Sequence, residues 1–428
     1  MKKIISVIIL FAVLTSFAQV KFGMQMRLRS ELQNLNSTDA DKQIYDRRVD
    51  FRFRPDIEYA INDYLCVKAV FEIGDIQYGT APSADLGTDG INLETKNVYM
   101  DAKPTKNHLF RIGLIPYKDA HSMIVDADLA GIMWQGNFDK YSVELAWFAA
   151  SDNDEEFIVN DTYSFGTTLL ALNQSYRLNK NIMFGIYNLF VFNRSDEYMQ
   201  GVNYDEVSMF LAPRFVGEFG KFFVDAQLSI NNIFADYDNV GNNPEFTQIY
   251  YEEGNGIGLS VKSKFEMDEK TTFRANMLFR GCYEGLHNYQ DYNSFYDTGL
   301  EIVNENANGI STHNPMISQF GVVVPSIFAD WKYKDNITFT GGFGFIMNDQ
   351  NYGKRIDLLK TINDDMFMAW ELDLKAKVVL YEKLQFFPYF AIFVPSEGYA
   401  YDTQTLDEDG EPATDMQMKI GTAVKYNF

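Results

Sequence analysis

The 428-residue sequence has few cysteines and few basic residues, and each scarcity excludes a class of protein. Two cysteines are too few for a disulfide scaffold or a cysteine-based zinc cluster. The sequence has only 37 lysines and arginines but 59 acidic residues, which gives a formal net charge of -22. Because binding to phosphate backbones needs a basic surface, this balance argues against a nucleic-acid partner.

Catalytic motifs are missing as well. The sequence has no G-x-S-x-G, no H-E-x-x-H and no phosphate-binding loop. Its four histidines are His108, His121, His287 and His313, and none stands in such a motif. We therefore expect a protein that is not an enzyme and that uses neither a cofactor nor a metal ion.

Residues 1–18 have the pattern of a secretory signal peptide. Lys2 and Lys3 precede an apolar stretch from Ile4 to Leu14, and Ser16-Phe17-Ala18 suits cleavage before Gln19. Residues 19–428 would then form the mature chain. They contain no apolar run that approaches the roughly 20 residues of a membrane helix. A secreted chain of this kind can still enter a membrane as a closed β-barrel.

Polar and apolar residues alternate along most of the mature chain. In the first segment one parity is apolar and the other polar: Phe22, Met24, Met26 and Leu28 against Lys21, Gln25, Arg27 and Arg29. A period of two predicts β-strands. The apolar parity would face a core in a soluble sandwich and lipid in an outer-membrane barrel. In the barrel, the 4 Trp, 26 Tyr and 36 Phe residues are expected in a lipid-facing band rather than a packed core.

The spacing of turns separates these two folds, because outer-membrane barrels alternate short periplasmic turns with long outer loops. Eight short turns are found near residues 62–63, 105–107, 137–139, 179–181, 219–220, 268–270, 334–336 and 382–383. Nine longer polar stretches alternate with them, near 36–44, 79–91, 118–129, 152–161, 194–204, 232–254, 284–316, 348–364 and 396–415. Eight periplasmic turns predict an all-β fold: a transmembrane antiparallel β-barrel of 18 strands, with 16 as the fallback.

The end of the chain carries a more specific pattern. Apolar and aromatic side chains share one parity at Met418, Ile420, Thr422, Val424, Tyr426 and Phe428. This ending resembles the assembly signal of outer-membrane barrel proteins, and the whole mature chain resembles a Gram-negative outer-membrane porin. The first quarter, with Arg27-Leu28-Arg29, Arg52-Phe53-Arg54 and Phe71-Glu72-Ile73-Gly74-Asp75, is similar to alginate-export-type and related 18-stranded porins.

The resemblance implies a place in the bacterial outer membrane. The expected partners are outer-membrane lipid and lipopolysaccharide, the barrel-assembly machinery and a small hydrophilic solute. The expected function is passive uptake or export of such solutes, anionic saccharides among them. The alternative is a structural or adhesive surface barrel, with a blocked lumen and loops that bind a ligand.

Candidate lumen residues follow from an estimate of strand pairing. A first hairpin centred near residue 40 places Arg27 and Arg29 opposite residues near 53 and 51, and a second hairpin places Arg54 beside Glu72 and Glu58 beside Lys68. The closing strand adds Lys419 and Lys425 beside the first strand. The candidates on the lumen parity are Arg27, Arg29, Arg48, Arg52, Arg54, Glu72, Arg111, Arg274 and Arg280.

Two roles are open for these charges, and they are compatible. A cluster of arginines in a pore favours anions and can act as a selectivity filter. Alternatively, pairs such as Arg54 with Glu72 stiffen the barrel wall as cross-strand ion pairs.

Two polar stretches are candidates for special roles. Residues 117–130 combine both charges with apolar side chains and could fold inward as a constriction, or pack on their neighbours; the candidates are Tyr117, Lys118, Asp119, His121, Asp126 and Asp128. The longest stretch, 284–316, could form a glycan-binding surface or a simple lid, with Tyr289, Tyr292, Phe295 and Tyr296.

Overall fold

The computed structural model describes residues 19–35, 44–78, 93–150, 165–198, 202–238, 254–284, 298–302, 322–348, 367–396 and 416–427. The signal peptide predicted at residues 1–18 lies outside this part of the chain. Among the residues described, no helix is long and apolar enough to cross a membrane.

The described chain forms 18 β-strands. Their bounds are β1 Gln19–Leu35, β2 Ile44–Asn62, β3 Leu65–Tyr78, β4 Leu93–Thr105, β5 His108–Lys118, β6 Asp126–Phe138, β7 Tyr141–Ala150, β8 Phe165–Arg177, β9 Ile182–Tyr198, β10 Val202–Phe219, β11 Phe222–Asp238, β12 Gly254–Glu266, β13 Thr271–Glu284, β14 Val322–Lys334, β15 Ile337–Asn348, β16 Phe367–Leu380, β17 Leu384–Pro395 and β18 Gln417–Asn427. Each strand pairs antiparallel with its sequence neighbours, and β1 closes the sheet on β18. The prediction of a closed 18-stranded barrel is confirmed.

Alternation along each strand separates an outer from an inner face. On β1, Leu28 and Leu32 are exposed, whereas Arg29 and Glu31 are buried. Because successive side chains of a strand point to opposite faces, the exposed apolar parity is the outside of the barrel and the buried parity faces the lumen.

One end of the barrel carries the short turns. They occupy residues 63–64, 106–107, 139–140, 178–181, 220–221, 267–270, 335–336 and 381–383, close to the eight predicted positions. In the turn after β12, Asp268 accepts backbone hydrogen bonds from Lys270 (2.8 Å) and Thr271 (2.7 Å). These donors favour the carboxylate and lower the pKa of Asp268. The turn is thereby fixed without a glycine.

At the opposite end, two predicted loop bounds are wrong. A long stretch was expected at 194–204, but β9 runs to Tyr198 and β10 begins at Val202. Likewise β11 continues to Asp238, although a loop was expected from residue 232. Polar residues such as Asn232, Asp236 and Asp238 suggested a loop there. They nevertheless continue the strand, because pairing with β10 uses backbone groups and extends from Asn232 opposite Met209 to Asp238 opposite Asn203.

The inner face is more apolar than the alternation predicts. Phe148, Leu169, Leu189 and Phe210 are buried on the inner parity of β7 to β10, and Phe328 and Phe393 on that of β14 and β17. The expectation that aromatic residues avoid a packed core is therefore wrong for this part of the wall. Two short segments of chain explain these apolar surfaces, because they fold inward and cover them.

Candidate functional site

A row of three cations crosses β18, β1 and β2. In the strand register, Arg27 lies opposite Lys425 of β18 on one side and opposite Arg52 of β2 on the other. Arg52 lies one residue from the predicted partner near 53, and Asp50 likewise replaces the residue near 51 as the partner of Arg29. We call Arg27, Arg52 and Lys425 the cationic row.

Just toward the outer end from the cationic row, the charges balance in a buried network. Asp50 is completely buried and accepts hydrogen bonds from Arg29 Nε (2.6 Å) and Arg27 Nη2 (3.1 Å). Glu31 accepts a hydrogen bond from the Tyr389 hydroxyl and lies 3.4 Å from Lys419 Nζ. The Arg29 side chain is therefore part of the hydrogen-bonded inner wall. Arg27 connects this network to the cationic row through its hydrogen bond to Asp50.

Three other predicted arginines, and one that was not predicted, pair with acids on the neighbouring strand. Each of three arginines donates from Nε and Nη2 to both oxygens of one aspartate: Arg111 to Asp101 (2.7 and 2.9 Å), Arg214 to Asp225 (2.8 and 2.6 Å) and Arg274 to Asp330 (2.6 and 3.0 Å). Arg54 donates to Glu72, as the estimated pairing placed them. We call these four the wall pairs.

The wall pairs give Arg54, Glu72, Arg111 and Arg274 the cross-strand geometry of the wall-stiffening alternative. A bidentate arginine–carboxylate contact is geometrically specific and charge-assisted. The prediction missed Arg214 and the partners Asp101, Asp225 and Asp330. These pairs could have been predicted from opposite charges on the inner parity of adjacent strands. Such a prediction needs the strand register, and therefore the position of each turn to within one residue.

Two further candidates lie elsewhere. Arg280 is almost fully buried on the inner face of β13, so its side chain is part of the packed wall. Arg48 pairs with Glu31 by backbone register, but its side chain lies outside what the structure describes. Lys68 is opposite Glu58 as expected, yet Glu58 accepts its hydrogen bond from Lys21 (2.8 Å) and Lys68 approaches Asp56 (3.8 Å).

The chain between β5 and β6 folds into the lumen. We call residues 119–125 inner segment A. Asp119 organises it: Oδ1 accepts the backbone N–H of Ile124 (2.8 Å) and Val125 (3.0 Å), and Oδ2 accepts that of Met123 (3.2 Å). Ser122 adopts φ 52° at the bend. A single carboxylate thus satisfies backbone donors that would otherwise be buried without partners.

Inner segment A reaches the wall formed by β11 and β12, although five strands, β6 to β10, separate β5 from β11. Gln227 Nε2 donates to Asp119 Oδ2 (2.7 Å). The His121 ring contacts Ser260 Oγ through Nδ1 (2.7 Å) and Asp225 Oδ1 through Nε2 (2.9 Å). The segment therefore crosses the interior of the barrel from β5 to β11 and β12.

The opposite side of inner segment A is apolar. Met123, Ile124 and Val125 are fully buried in the same cluster as Ile115, Phe148, Leu169 and Leu189 of the inner wall. Tyr117 joins this cluster, with its ring centroid 4.6 Å from that of Phe148. The segment and the apolar wall of β5 to β10 together fill one side of the lumen.

Only some of the predicted constriction residues meet at this place. Tyr117, Asp119 and His121 lie inside the barrel. Lys118, Asp126 and Asp128 were expected there too, but they occupy the parity of Ile112 and Ile132, which is the outside. Asp128 binds Lys96 (3.0 Å) and Asn97 (2.6 Å) instead. The reason is that β5 extends to Lys118 and β6 begins at Asp126. Lys118, Asp126 and Asp128 are therefore strand residues, and alternation places their side chains on the outer face.

A second inward segment was not foreseen. Residues 298–302, inner segment B, dock on the inner wall of β14 to β16. The backbone N–H of Ile302 donates to Glu371 (2.6 Å) and that of Glu301 to Asp373 (3.0 Å). Lys375 Nζ bridges Glu301 (2.8 Å) and Asp373 (3.2 Å). The aromatic residues proposed for the same stretch, Tyr289, Tyr292, Phe295 and Tyr296, lie outside the described residues.

Ser260, His121 and Asp225 are the residue types of a hydrolase triad, but their arrangement is different. In a triad the histidine uses Nε2 toward serine and Nδ1 toward aspartate, whereas here Nδ1 faces Ser260 and Nε2 faces Asp225. Ser260 is also buried, and Asp225 is shared with Arg214. The geometry is that of a docking contact between inner segment A and the wall.

No protein-family model and no curated protein matches the chain. Solved structures do match. OccK5 (OpdH) of Pseudomonas aeruginosa has a TM-score of 0.57 and 10% identity, OccK8 (OprE) of the same organism 0.54 and 12%, and OpdK with vanillate 0.55 and 10%. Each comparison covers 96% of this chain and 98% of the other. At these identities the likeness establishes the fold, which is that of outer-membrane channel barrels.

Proposed function

We propose that the chain is an outer-membrane channel for passive diffusion of small hydrophilic solutes. The observation that carries the proposal is the division of the barrel surface: apolar side chains face outward, and charged side chains recur around the inner wall. A closed barrel satisfies every strand hydrogen bond internally, as lipid requires. The similarity to solved outer-membrane channels over nearly the whole chain supports the same function.

The outer surface supports a place in the membrane. Leu28, Ile132 and Leu170 are exposed apolar residues on separate strands. Near the short turns, Trp331 stacks on Phe339 with ring centroids 5.9 Å apart, and aromatic side chains are typical of the membrane interface. Outer-membrane lipid, lipopolysaccharide and the barrel-assembly machinery are the partners that this placement implies.

For selectivity we propose anionic solutes, acidic saccharides included. The wall pairs are internally neutral, whereas Arg27, which also donates to Asp50, lies opposite a cation on each neighbouring strand, Arg52 on β2 and Lys425 on β18. Cations lining a pore favour anions. In the ring of strands this row lies between the walls that carry inner segments A and B. Vanillate is present in one of the similar structures, that of OpdK.

Planar-bilayer recording tests selectivity. Under a salt gradient, Arg27→Gln with Arg52→Gln is expected to lower the anion-to-cation permeability ratio, because the cationic row keeps only Lys425. The matched control is Arg111→Gln with Arg274→Gln, which removes the same charge from two wall pairs. If both double variants shift the reversal potential equally, the cationic row has no special role in selectivity.

A blocked surface barrel is the second candidate, because inner segments A and B and their apolar walls occupy part of the lumen. Liposome swelling with sugars of graded size separates the two. A channel gives swelling rates that fall with solute size. Swelling that equals that of protein-free liposomes for every sugar would favour the blocked barrel and contradict the channel.

A further inference from the structure

The corner of inner segment A, residues 119–122, contains a histidine with both ring nitrogens engaged. The His121 ring is 1% exposed. A carboxylate only accepts hydrogen bonds, so Nε2 donates to Asp225, and in the neutral ring Nδ1 accepts the Ser260 hydroxyl proton. Both partners stand on the inner wall, one on β11 and one on β12. The histidine is therefore fixed in position and in ring orientation.

The acceptor of that contact is itself immobilised. Asp225 receives two hydrogen bonds from Arg214 on β10, at 2.8 and 2.6 Å. One carboxylate thus joins a wall pair to the inward segment. Gln227, two residues farther along β11, binds Asp119 and adds a second point of attachment.

The two halves of inner segment A are held in different ways. Residues 123–125 are packed among apolar side chains of the wall next to β5. The corner at residues 119–122 contacts the far wall through hydrogen bonds of His121 and Asp119. Packing therefore anchors one half, and a small set of polar contacts determines where the other half lies.

We propose that His121 is a positioning residue of the channel, which fixes the corner of inner segment A on β11 and β12 and so keeps the width of the pore constant. The inference rests on the proposed channel function. Without the His121 ring the apolar half remains in place, while the corner moves relative to the far wall. The channel then fluctuates between widths rather than closing or unfolding.

Single-channel recording of the full barrel in planar bilayers tests this. His121→Ala is expected to raise the rate of transitions between conductance levels at least about tenfold, because it removes the charge-assisted hydrogen bond to Asp225 and the contact with Ser260. His121→Gln, which can still donate to Asp225, is expected to restore much of the steady wild-type current. A role limited to folding would change the yield of barrels and not the noise of each open channel.

His108→Ala is the matched control, because this histidine is stacked on Trp134 near the short turns and lies away from inner segment A. Ser260→Ala removes only one anchor, and it serves if His121→Ala fails to fold. If His121→Ala and Ser260→Ala both fold and both give the same current trace as His108→Ala, the inference is overturned. Wild-type barrels that insert without conducting would instead contradict the channel function.

Discussion

Arg27 and Arg52 lie directly opposite each other on β1 and β2, although both side chains are cationic. Like charges at opposite positions of an antiparallel pair destabilise it. Arg27 compensates in part by donating to Asp50 at 3.1 Å. The two opposed cations place positive charge on the inner face at this position, and positive charge in a pore favours anions.

Arg52→Glu is expected to reverse both effects. A glutamate opposite Arg27 forms a cross-strand ion pair, so the free energy of unfolding should rise by roughly 0.2–1 kcal/mol. The anion-to-cation permeability ratio should fall at the same time. Urea unfolding in vesicles and reversal potentials measure the two quantities. A variant that loses stability and keeps its anion preference would contradict the assignment of Arg52 to the cationic row.

The wall pairs lead to a second prediction. Arg274→Ala leaves the half-buried Asp330 with only Thr340 as a hydrogen-bond donor among the contacts described, and it should cost about 1–3 kcal/mol of unfolding free energy. Asp330→Asn in the same chain should recover part of this loss, because the buried negative charge is then removed. The double-mutant cycle in urea measures the coupling. Additive effects of the two substitutions would show that the pair is not a unit.

The fold was largely predictable because alternation and turn spacing are local properties of the sequence. The parity of Arg27, Arg29, Arg52 and Arg54 followed from neighbouring apolar residues alone. Exact partners depend on the register, and an error of one residue hid the contact between Arg29 and Asp50. Strand pairing in a barrel is set by all turns together, which no single hairpin determines.

The inward segments were only half predictable for a different reason. Inner segment A combines charges and apolar residues within a few positions, which is a visible local signal. Its contacts, however, join residues 108 and 139 positions apart, Gln227 with Asp119 and Ser260 with His121. Inner segment B has no such local pattern, and its buried partners Glu371 and Asp373 read as ordinary inner-face acids of β16.

Asp119 is expected to be essential for the shape of inner segment A. Asp119→Ala removes the acceptor of several backbone donors and of Gln227, and each lost bond to a charged acceptor is worth roughly 1.5–3 kcal/mol. The barrel wall keeps its own hydrogen bonds, so we expect a folded barrel with an altered conductance and faster proteolysis between residues 119 and 125. Asp126→Ala, on the outer parity, is the control. Equal conductance and proteolysis of the two variants would contradict this role of Asp119.

Gly344 leads to the last prediction, because it provides the space for inner segment B. A Cβ atom at Gly344 would lie 2.6 Å from Leu300 Cδ1, and Leu300 is fully buried. Gly344→Leu should therefore displace inner segment B and lower the unfolding free energy by about 1–3 kcal/mol. Gly341→Leu is the matched control on the same strand, because nothing lies within 4 Å of its added Cβ. Urea unfolding and single-channel conductance should change for Gly344→Leu and stay near wild type for Gly341→Leu. Equal changes in stability and conductance for the two variants would contradict the prediction that Leu300 needs the space next to Gly344.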